Sequence, residues 1–98
     1  DIDVKKFEPM RHEDKVPHMG WNTLTDTHSA LFKGFDKEEF VYFVHSFYVP
    51  LNEFTASTTH YILPYSSALH KDNFYATQFH PEKSGAVGER ILRNFIEL

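Results

Sequence analysis

A histidine and a carboxylate lie two residues apart in the segment Ala76–Gly85, which reads ATQFHPEKSG. The residues before His80 predict a strand that ends there, and Pro81 fixes the backbone immediately afterwards. Glu82 is close enough in sequence to fold back onto the imidazole. Such a contact selects one tautomer and leaves the other ring nitrogen free as a general base. A surface histidine at a strand end is the simpler interpretation, because this spacing is common by chance.

A general base of this kind needs a nucleophile to deprotonate, and the chain contains no cysteine. Ser46 is a candidate hydroxyl, but no Gly-x-Ser-x-Gly pattern surrounds it. The alternative is that His45 and Ser46 form a hydrogen-bonded pair at the end of a strand. The backbone of Ser46 and Phe47 would then face a ligand, because ligands bind at this end of the strands in open α/β sheets.

Composition indicates one small folded domain. The chain has 98 residues, of which 41% are hydrophobic and 24% charged, and this balance argues against disorder. The net charge is −4 and no basic patch is present, so nucleic-acid binding is not expected. No run of about 18 apolar residues predicts a membrane span. The first residue, Asp1, is not methionine, and we expect the chain to begin within a longer protein.

The absence of cysteine excludes disulfides and cysteine-based zinc sites. Together with the lack of an export signal, it favours a cytoplasmic location. The seven histidines are irregularly spaced, with no His-x-x-x-His or His-Glu-x-x-His pattern. We therefore expect no metal site, and the sequence implies no cofactor.

Periodicity and turn residues predict the elements that must position these side chains. Val4 and Phe7 suggest a short strand, and Val16–Asn22 a loop that ends near Trp21. Asp26 is a candidate cap of a short helix that continues through Phe32 and ends at Gly34. The nearly unbroken apolar run 40–49 predicts a strand buried on both faces, as at the centre of an α/β sheet.

The second half of the chain predicts a hairpin and a helix. Strands are expected at 54–61, 66–70 and 74–79, and the turn signal at 71–73 pairs the last two. A helix follows with Ser84 as its N-cap, and both Gly85 and Gly88 in its first turn allow close approach of neighbouring backbone. Its apolar stripe consists of Val87, Ile91, Leu92, Phe95 and Leu98.

Three segments then match a known pattern in order and spacing: VPHMGWN at 16–22, YFVHSFY at 42–48 and ATQFHPEKSG at 76–85. They resemble the glutaminase subunits of imidazole glycerol phosphate synthase, within the class I glutamine amidotransferases. The Phe-His-Pro-Glu element is shared across the class, and Pro-His-Met-Gly-Trp-Asn narrows the resemblance. It implies an α/β fold: part of a flavodoxin-like three-layer sheet with antiparallel hairpin strands and a C-terminal helix. Residues 1–98 would form the C-terminal half of a single amidotransferase domain.

The resemblance also implies a role for each candidate residue. His80 would be the base that activates a cysteine lying outside this chain, and Glu82 would orient it. Ammonia released from glutamine would enter a separate cyclase, which is a (β/α)8 barrel, for imidazole glycerol phosphate formation in histidine biosynthesis. The glutamine pocket would be lined by His45, Ser46 and Phe47, the last in place of an expected tyrosine. The residues at the interface with the cyclase subunit would be Trp21, Tyr42 and Lys83.

Two expectations follow for the 98-residue chain by itself. It would hydrolyse no glutamine, because a base without a nucleophile leaves the covalent route closed. It would also be marginally stable or self-associating, because its apolar strand 41–49 would lack neighbours supplied by the missing half. The alternative is a non-catalytic module that binds the cyclase, or an inactive fragment.

Overall fold

The computed structural model describes residues 3–98, so the first two residues of the N-terminal segment lie outside the described part. Seven short strands precede a single long helix in that part. The strands are β1 (Lys5–Lys6), β2 (His18–Leu24), β3 (Glu39–His45), β4 (Phe47–Tyr48), β5 (Thr55–Tyr61), β6 (Leu63–Lys71) and β7 (Phe74–Thr77). The helix is α1 (Gly85–Ile96), and short 3₁₀ helices occupy Ala30–Phe32 and Pro81–Lys83.

The strands form three small sheets, with the pairings β1–β4, β2–β3 and β5–β6–β7. Every pairing between the described strands is antiparallel. The predicted hairpin is confirmed as β6–β7, and its turn places Asp72 at a φ of 54°. Isolated bridges from Thr25 to Thr58 and from Val49 to Ser66 tie the sheets together. The described residues therefore hold the hairpin and helical part of the expected α/β fold.

The prediction of a loop at Val16–Asn22 is wrong, because most of this segment is strand β2. It pairs with β3 along its whole length, and Trp21 lies opposite Tyr42. His18 and Leu24 point into the core, while Met19 and Trp21 point outward. Gly20 has a φ of 131°, a conformation that glycine adopts without strain. Tertiary pairing overrides the local proline and glycine signals here.

Strand β3 is buried on one face only, which corrects the expectation of a strand at the centre of an α/β sheet. Val41, Phe43 and His45 are buried, whereas Phe40 is 57% and Val44 37% exposed. The strand also ends at His45, and β4 begins only at Phe47. The apolar run therefore contains one face that is buried in the core and a second apolar face that is exposed. Composition alone does not distinguish such a strand from one that is buried on both faces.

The predicted short helix is a single 3₁₀ turn, and its cap is not Asp26. The Ser29 hydroxyl accepts a hydrogen bond from the Leu31 N–H, while Asp26 adopts a φ of 49°. Ser29 therefore supplies the capping oxygen three residues later than predicted.

Helix α1 confirms the predicted C-terminal helix, but its apolar stripe is only partly covered. Ile91 is buried and Val87 packs against the core, whereas Leu92, Phe95 and Leu98 are 42%, 50% and 54% exposed. The described part of the chain contains no helix with the length and apolarity needed to cross a membrane. The core consists of the buried apolar side chains Phe7, Leu24, Leu31, Phe32, Val41, Phe43, Tyr48, Ala56, Tyr65, Ala68, Phe79 and Ile91.

Candidate active site

His80 lies where β7 has ended and the second 3₁₀ helix begins. Its backbone is extended, with φ −102° and ψ 98°, and it immediately precedes that helix. The Nδ1 atom is 3.0 Å from a carboxylate oxygen of Glu82. The expected fold-back of Glu82 onto the ring is therefore present. A carboxylate oxygen only accepts, so Nδ1 carries the proton in this contact, and Nε2 of the neutral ring is left as a base.

The carboxylate is held in its ionised form. The pKa of Glu82 lies below its ordinary value, first because of a backbone hydrogen bond within its own residue and second because of the contact with His80. The side chains of His80 and Glu82 are 38% and 60% exposed, so both reach the surface. Nε2 of His80 makes no hydrogen bond within residues 3–98. The arrangement can accept a proton from a group brought to that surface.

Strand β3 holds the His80 backbone through Tyr42 and Ser84. The N–H of His80 donates to the Tyr42 carbonyl at 2.9 Å, and the N–H of Tyr42 donates to the Ser84 hydroxyl at 2.9 Å. The same hydroxyl donates to the His80 carbonyl at 2.6 Å. Ser84 occupies the predicted N-cap position of α1, but its hydroxyl makes no capping bond to the helix. Its hydroxyl joins β3 to the turn that carries His80.

Helix α1 packs directly against the same turn at Gly88. A Cβ atom built on Gly88 would lie 2.8 Å from the Pro81 carbonyl carbon and 2.9 Å from the Ser84 Cβ. It would be closer still to the Pro81 oxygen, so no larger residue fits without movement of backbone. The expected close approach is wrong at Gly85, where a built Cβ atom would have no heavy atom within 4 Å, and is confirmed at Gly88. It fixes the distance between the helix and the His80 turn.

The three residues expected to line a substrate pocket lie at the break between β3 and β4. The side chain of His45 is buried in the core, and its Nδ1 donates to the Phe47 carbonyl at 2.7 Å. The Ser46 carbonyl accepts from the Phe7 N–H at 2.9 Å, and the Phe47 side chain is 53% exposed. Within residues 3–98 the Ser46 N–H donates to no protein acceptor. The segment thus offers backbone groups, and the imidazole of His45 points away into the core.

The residues expected at an interface lie beside His80. Trp21 and Tyr42 are cross-strand neighbours in β2–β3 with ring centroids 5.8 Å apart, and Trp21 is 55% exposed. Lys83 is exposed, and its N–H donates to the His80 carbonyl at 3.0 Å. The structure therefore brings these three residues to one region around His80.

Sequence reasoning missed the residues that support the site from behind. Ser84 was assigned to helix capping, and His18 to a loop. Tyr65 received no role, yet its hydroxyl is buried 3.2 Å from Nε2 of His45. No spacing rule predicts such contacts, because each joins residues 20 or more positions apart. No cluster of three or more potential metal ligands occurs among the described residues.

The family of the chain follows from its similarity to known proteins. A model of the family "Glutamine amidotransferase class-I" matches residues 4–98, so the chain belongs to the class I glutamine amidotransferases. The resemblance found in the sequence motifs is confirmed.

The chain is similar in particular to proteins named imidazole glycerol phosphate synthase subunit HisH. It is 72% identical to that of Bacteroides thetaiotaomicron and 70% identical to that of Bacteroides fragilis over all 98 residues. The protein of that name from Colwellia psychrerythraea is 46% identical over 93% of the chain and 41% of the relative. The chain covers 50% of each Bacteroides protein, so it spans about half the length of these curated relatives.

One solved structure supports the fold. It is a crystal structure from Thermoplasma acidophilum, described provisionally as part of a GMP synthase, and it aligns with a TM-score of 0.72 and 26% identity. The alignment covers 98% of this chain and 47% of that protein. The partial class I amidotransferase fold therefore accounts for nearly the whole described chain.

Proposed function

We propose that this chain provides the base-carrying half of a glutaminase site. His80 Nε2 removes the proton from a cysteine thiol supplied by the remainder of the domain, and Glu82 holds the imidazole through Nδ1. The thiolate attacks the side-chain amide of glutamine, and the His80 imidazolium returns the proton to the amide nitrogen, so that ammonia leaves as a covalent thioester forms. Water then hydrolyses the thioester to glutamate and restores the thiol. The observation that carries the proposal is the 3.0 Å contact between His80 and Glu82, with Nε2 left free within the described residues.

The proposed substrate contact is the backbone at the break after β3. The N–H of Ser46, which has no acceptor in the described part of the chain, is a donor for the α-carboxylate of glutamine, and Phe47 lies beside it. Backbone N–H groups bind carboxylates without adding a titratable side chain to the pocket. His45 contributes here through its main chain, because its ring is buried.

The proposed partner is a cyclase subunit that uses the ammonia to form imidazole glycerol phosphate in histidine biosynthesis. The outer face of β2–β3 exposes Met19, Trp21 and Phe40, of which each is more than half exposed. Lys83 lies next to this face, since its helix is bonded to β3 through His80 and Tyr42. An aromatic surface with a cation at its edge is typical of a protein interface. We propose heterodimer formation through this face, in the cytoplasm.

The alternative is a non-catalytic module that keeps this face and binds the cyclase without hydrolysis. The exposed aromatic face alone supports it. The enzyme is favoured by the hydrogen bonds that hold the His80 backbone to Tyr42 and Ser84, which we call the clamp. A structural surface histidine does not require Ser84, Tyr42 and Gly88 to fix its backbone.

One experiment separates the two functions. We define the reconstituted subunit by joining this chain to the half of the Bacteroides thetaiotaomicron relative that it does not match. With the cyclase partner present, we expect the reconstituted subunit to release ammonia from glutamine, whereas the 98-residue chain alone releases none. Binding to the cyclase without ammonia release by the folded reconstituted subunit would favour the non-catalytic module.

A further inference from the structure

Three buried polar side chains lie behind the Ser46–Phe47 backbone, and the proposed hydrolysis does not use them. His18, His45 and Tyr65 are 4%, 8% and 0% exposed. Nε2 of His45 is 3.0 Å from Nδ1 of His18 and 3.2 Å from the Tyr65 hydroxyl. Buried polar groups are costly unless they are hydrogen-bonded, so each of these ring nitrogens and the hydroxyl must act as a donor or an acceptor.

The Phe47 carbonyl determines which nitrogen of His45 carries the proton. A carbonyl only accepts, so the His45 Nδ1 atom at 2.7 Å carries a proton. Burial lowers the pKa of His45 below its ordinary value, so the ring is neutral and Nε2 is an acceptor. The single lone pair of Nε2 is then shared by two donors, the Nδ1–H of His18 at 3.0 Å and the hydroxyl of Tyr65 at 3.2 Å. The Tyr65 oxygen, 3.4 Å from His18 Nδ1, accepts the weaker share of that N–H.

Aromatic packing prevents these rings from turning. The His18 ring stacks on Tyr61 at a centroid distance of 4.0 Å and on Phe43 at 4.8 Å, with interplanar angles of 9° and 20°. Phe7 packs against the His45 ring at 5.1 Å. A ring held in this way presents its Nδ1–H to the Phe47 carbonyl in one orientation.

The consequence falls on the peptide groups at the break after β3. The Ser46 carbonyl is bonded to Phe7 and the Phe47 carbonyl to His45, so both carbonyls are tied into the core. Because a trans peptide points its N–H opposite to its carbonyl, the Phe47 N–H is directed away from Phe7. The Ser46 N–H is left without a partner within residues 3–98. Two backbone donors are therefore held ready for an anion.

We propose that His18, His45 and Tyr65 are positioning residues for substrate recognition, which anchor the chain at the Phe47 carbonyl, directly after the Ser46 and Phe47 N–H groups, so that these two groups bind the α-carboxylate of the amide substrate. This inference rests on the proposed glutaminase function for its substrate. It goes beyond that function by giving the buried imidazole of His45 a role that requires no contact with substrate. It also explains why two histidines and a tyrosine are buried next to one another in the core.

Two substitutions of His45 separate its ring nitrogens. His45→Asn keeps an N–H donor near the position of Nδ1, and His45→Gln places its amide near Nε2 instead. In the reconstituted subunit with its cyclase partner, we expect His45→Asn to change the KM for glutamine less than about twofold. We expect His45→Gln to raise KM about tenfold with kcat changed less than about twofold, as for loss of one orienting hydrogen bond. Equal effects of the two, or a loss confined to kcat, would overturn the proposal.

A second variant covers failure of His45→Gln to fold. Tyr65→Phe removes one donor to Nε2 and keeps the ring, and we expect KM to rise about threefold. An unchanged KM would overturn the proposal.

A spectroscopic readout does not depend on activity. Long-range ¹H–¹⁵N correlation spectra of the wild-type reconstituted subunit should show His45 as the neutral Nδ1–H tautomer. If that protein releases no ammonia, the proposed function fails, and the spectra still decide the network. The Nε2–H tautomer would overturn the proposed arrangement.

Discussion

Replacement of Gly88 by alanine tests whether helix α1 fixes the position of the base. The new Cβ would lie 2.8 Å from the Pro81 carbonyl carbon, against 3.4 Å for ordinary contact. The turn must therefore recede by more than about 0.6 Å, because the Pro81 oxygen would lie closer still and both atoms are backbone. Pro81 directly follows His80, so the imidazole moves with it.

Two effects on stability oppose each other in Gly88→Ala. Alanine favours a helix interior over glycine by about 1 kcal/mol. Overpacking against fixed backbone costs about 1–3 kcal/mol. We expect the clash to prevail, so that the free energy of unfolding falls by about 1 kcal/mol in urea denaturation.

The effect on activity should exceed the effect on stability. A misplacement of about 1 Å at a catalytic group can cost about a hundredfold in rate, so a shift of this size predicts a loss of about tenfold in kcat for ammonia release. The assay is glutamine hydrolysis by the reconstituted subunit with its cyclase partner. Glu89→Ala is the control, because Glu89 is the next residue of the helix and is exposed. A Gly88→Ala protein that is more stable and fully active would refute the reasoning, since helix propensity alone predicts that result.

Three further predictions concern the core, the clamp and the interface. Burial lowers the pKa of His18 from 6.5 to about 4. Below pH 6.5 the unfolded chain therefore binds more protons than the folded one. We expect the free energy of unfolding, measured by urea denaturation, to fall by about 3 kcal/mol between pH 6.5 and pH 4. A flat profile over that range would contradict the neutral buried ring. Ser84→Ala leaves the Tyr42 N–H without its acceptor, so we expect the free energy of unfolding to fall by about 1–3 kcal/mol, and an unchanged value would argue against the clamp. Trp21→Ala should weaken binding of the reconstituted subunit to the cyclase about tenfold or more in calorimetry, and an equal Kd would place the interface elsewhere.

Local signals were sufficient for the contact between His80 and Glu82 and for the second half of the fold. The His80–Pro81–Glu82 sequence encodes its own geometry, because the proline fixes the backbone and the carboxylate is two residues from the ring. The β6–β7 hairpin and helix α1 follow in the same way from a turn signal and a helical period. These features depend on contacts between neighbours in sequence, and composition and spacing describe such contacts well.

The first half depends on distant contacts that no local pattern contains. Strand β2 forms because it pairs with β3 some 20 residues later, and its proline and glycine suggested a loop. The exposed face of β3 is as apolar as its buried face, so the sequence did not distinguish the two. The bonds of Ser84 to Tyr42 and of His18 to His45 likewise join different elements. Residues whose partners lie in a different element cannot be recognised from the local sequence, because the fold alone brings them together.

The most direct test of the central claim is the rate of ammonia release from glutamine with and without the imidazole of His80. It is measured on the reconstituted subunit with its cyclase partner, both in the wild-type form and with His80→Ala. The account predicts that the substitution lowers kcat by about a thousandfold, as expected for loss of a general base that activates a nucleophile. A His80→Ala protein that releases ammonia within about twofold of the wild-type rate would contradict it.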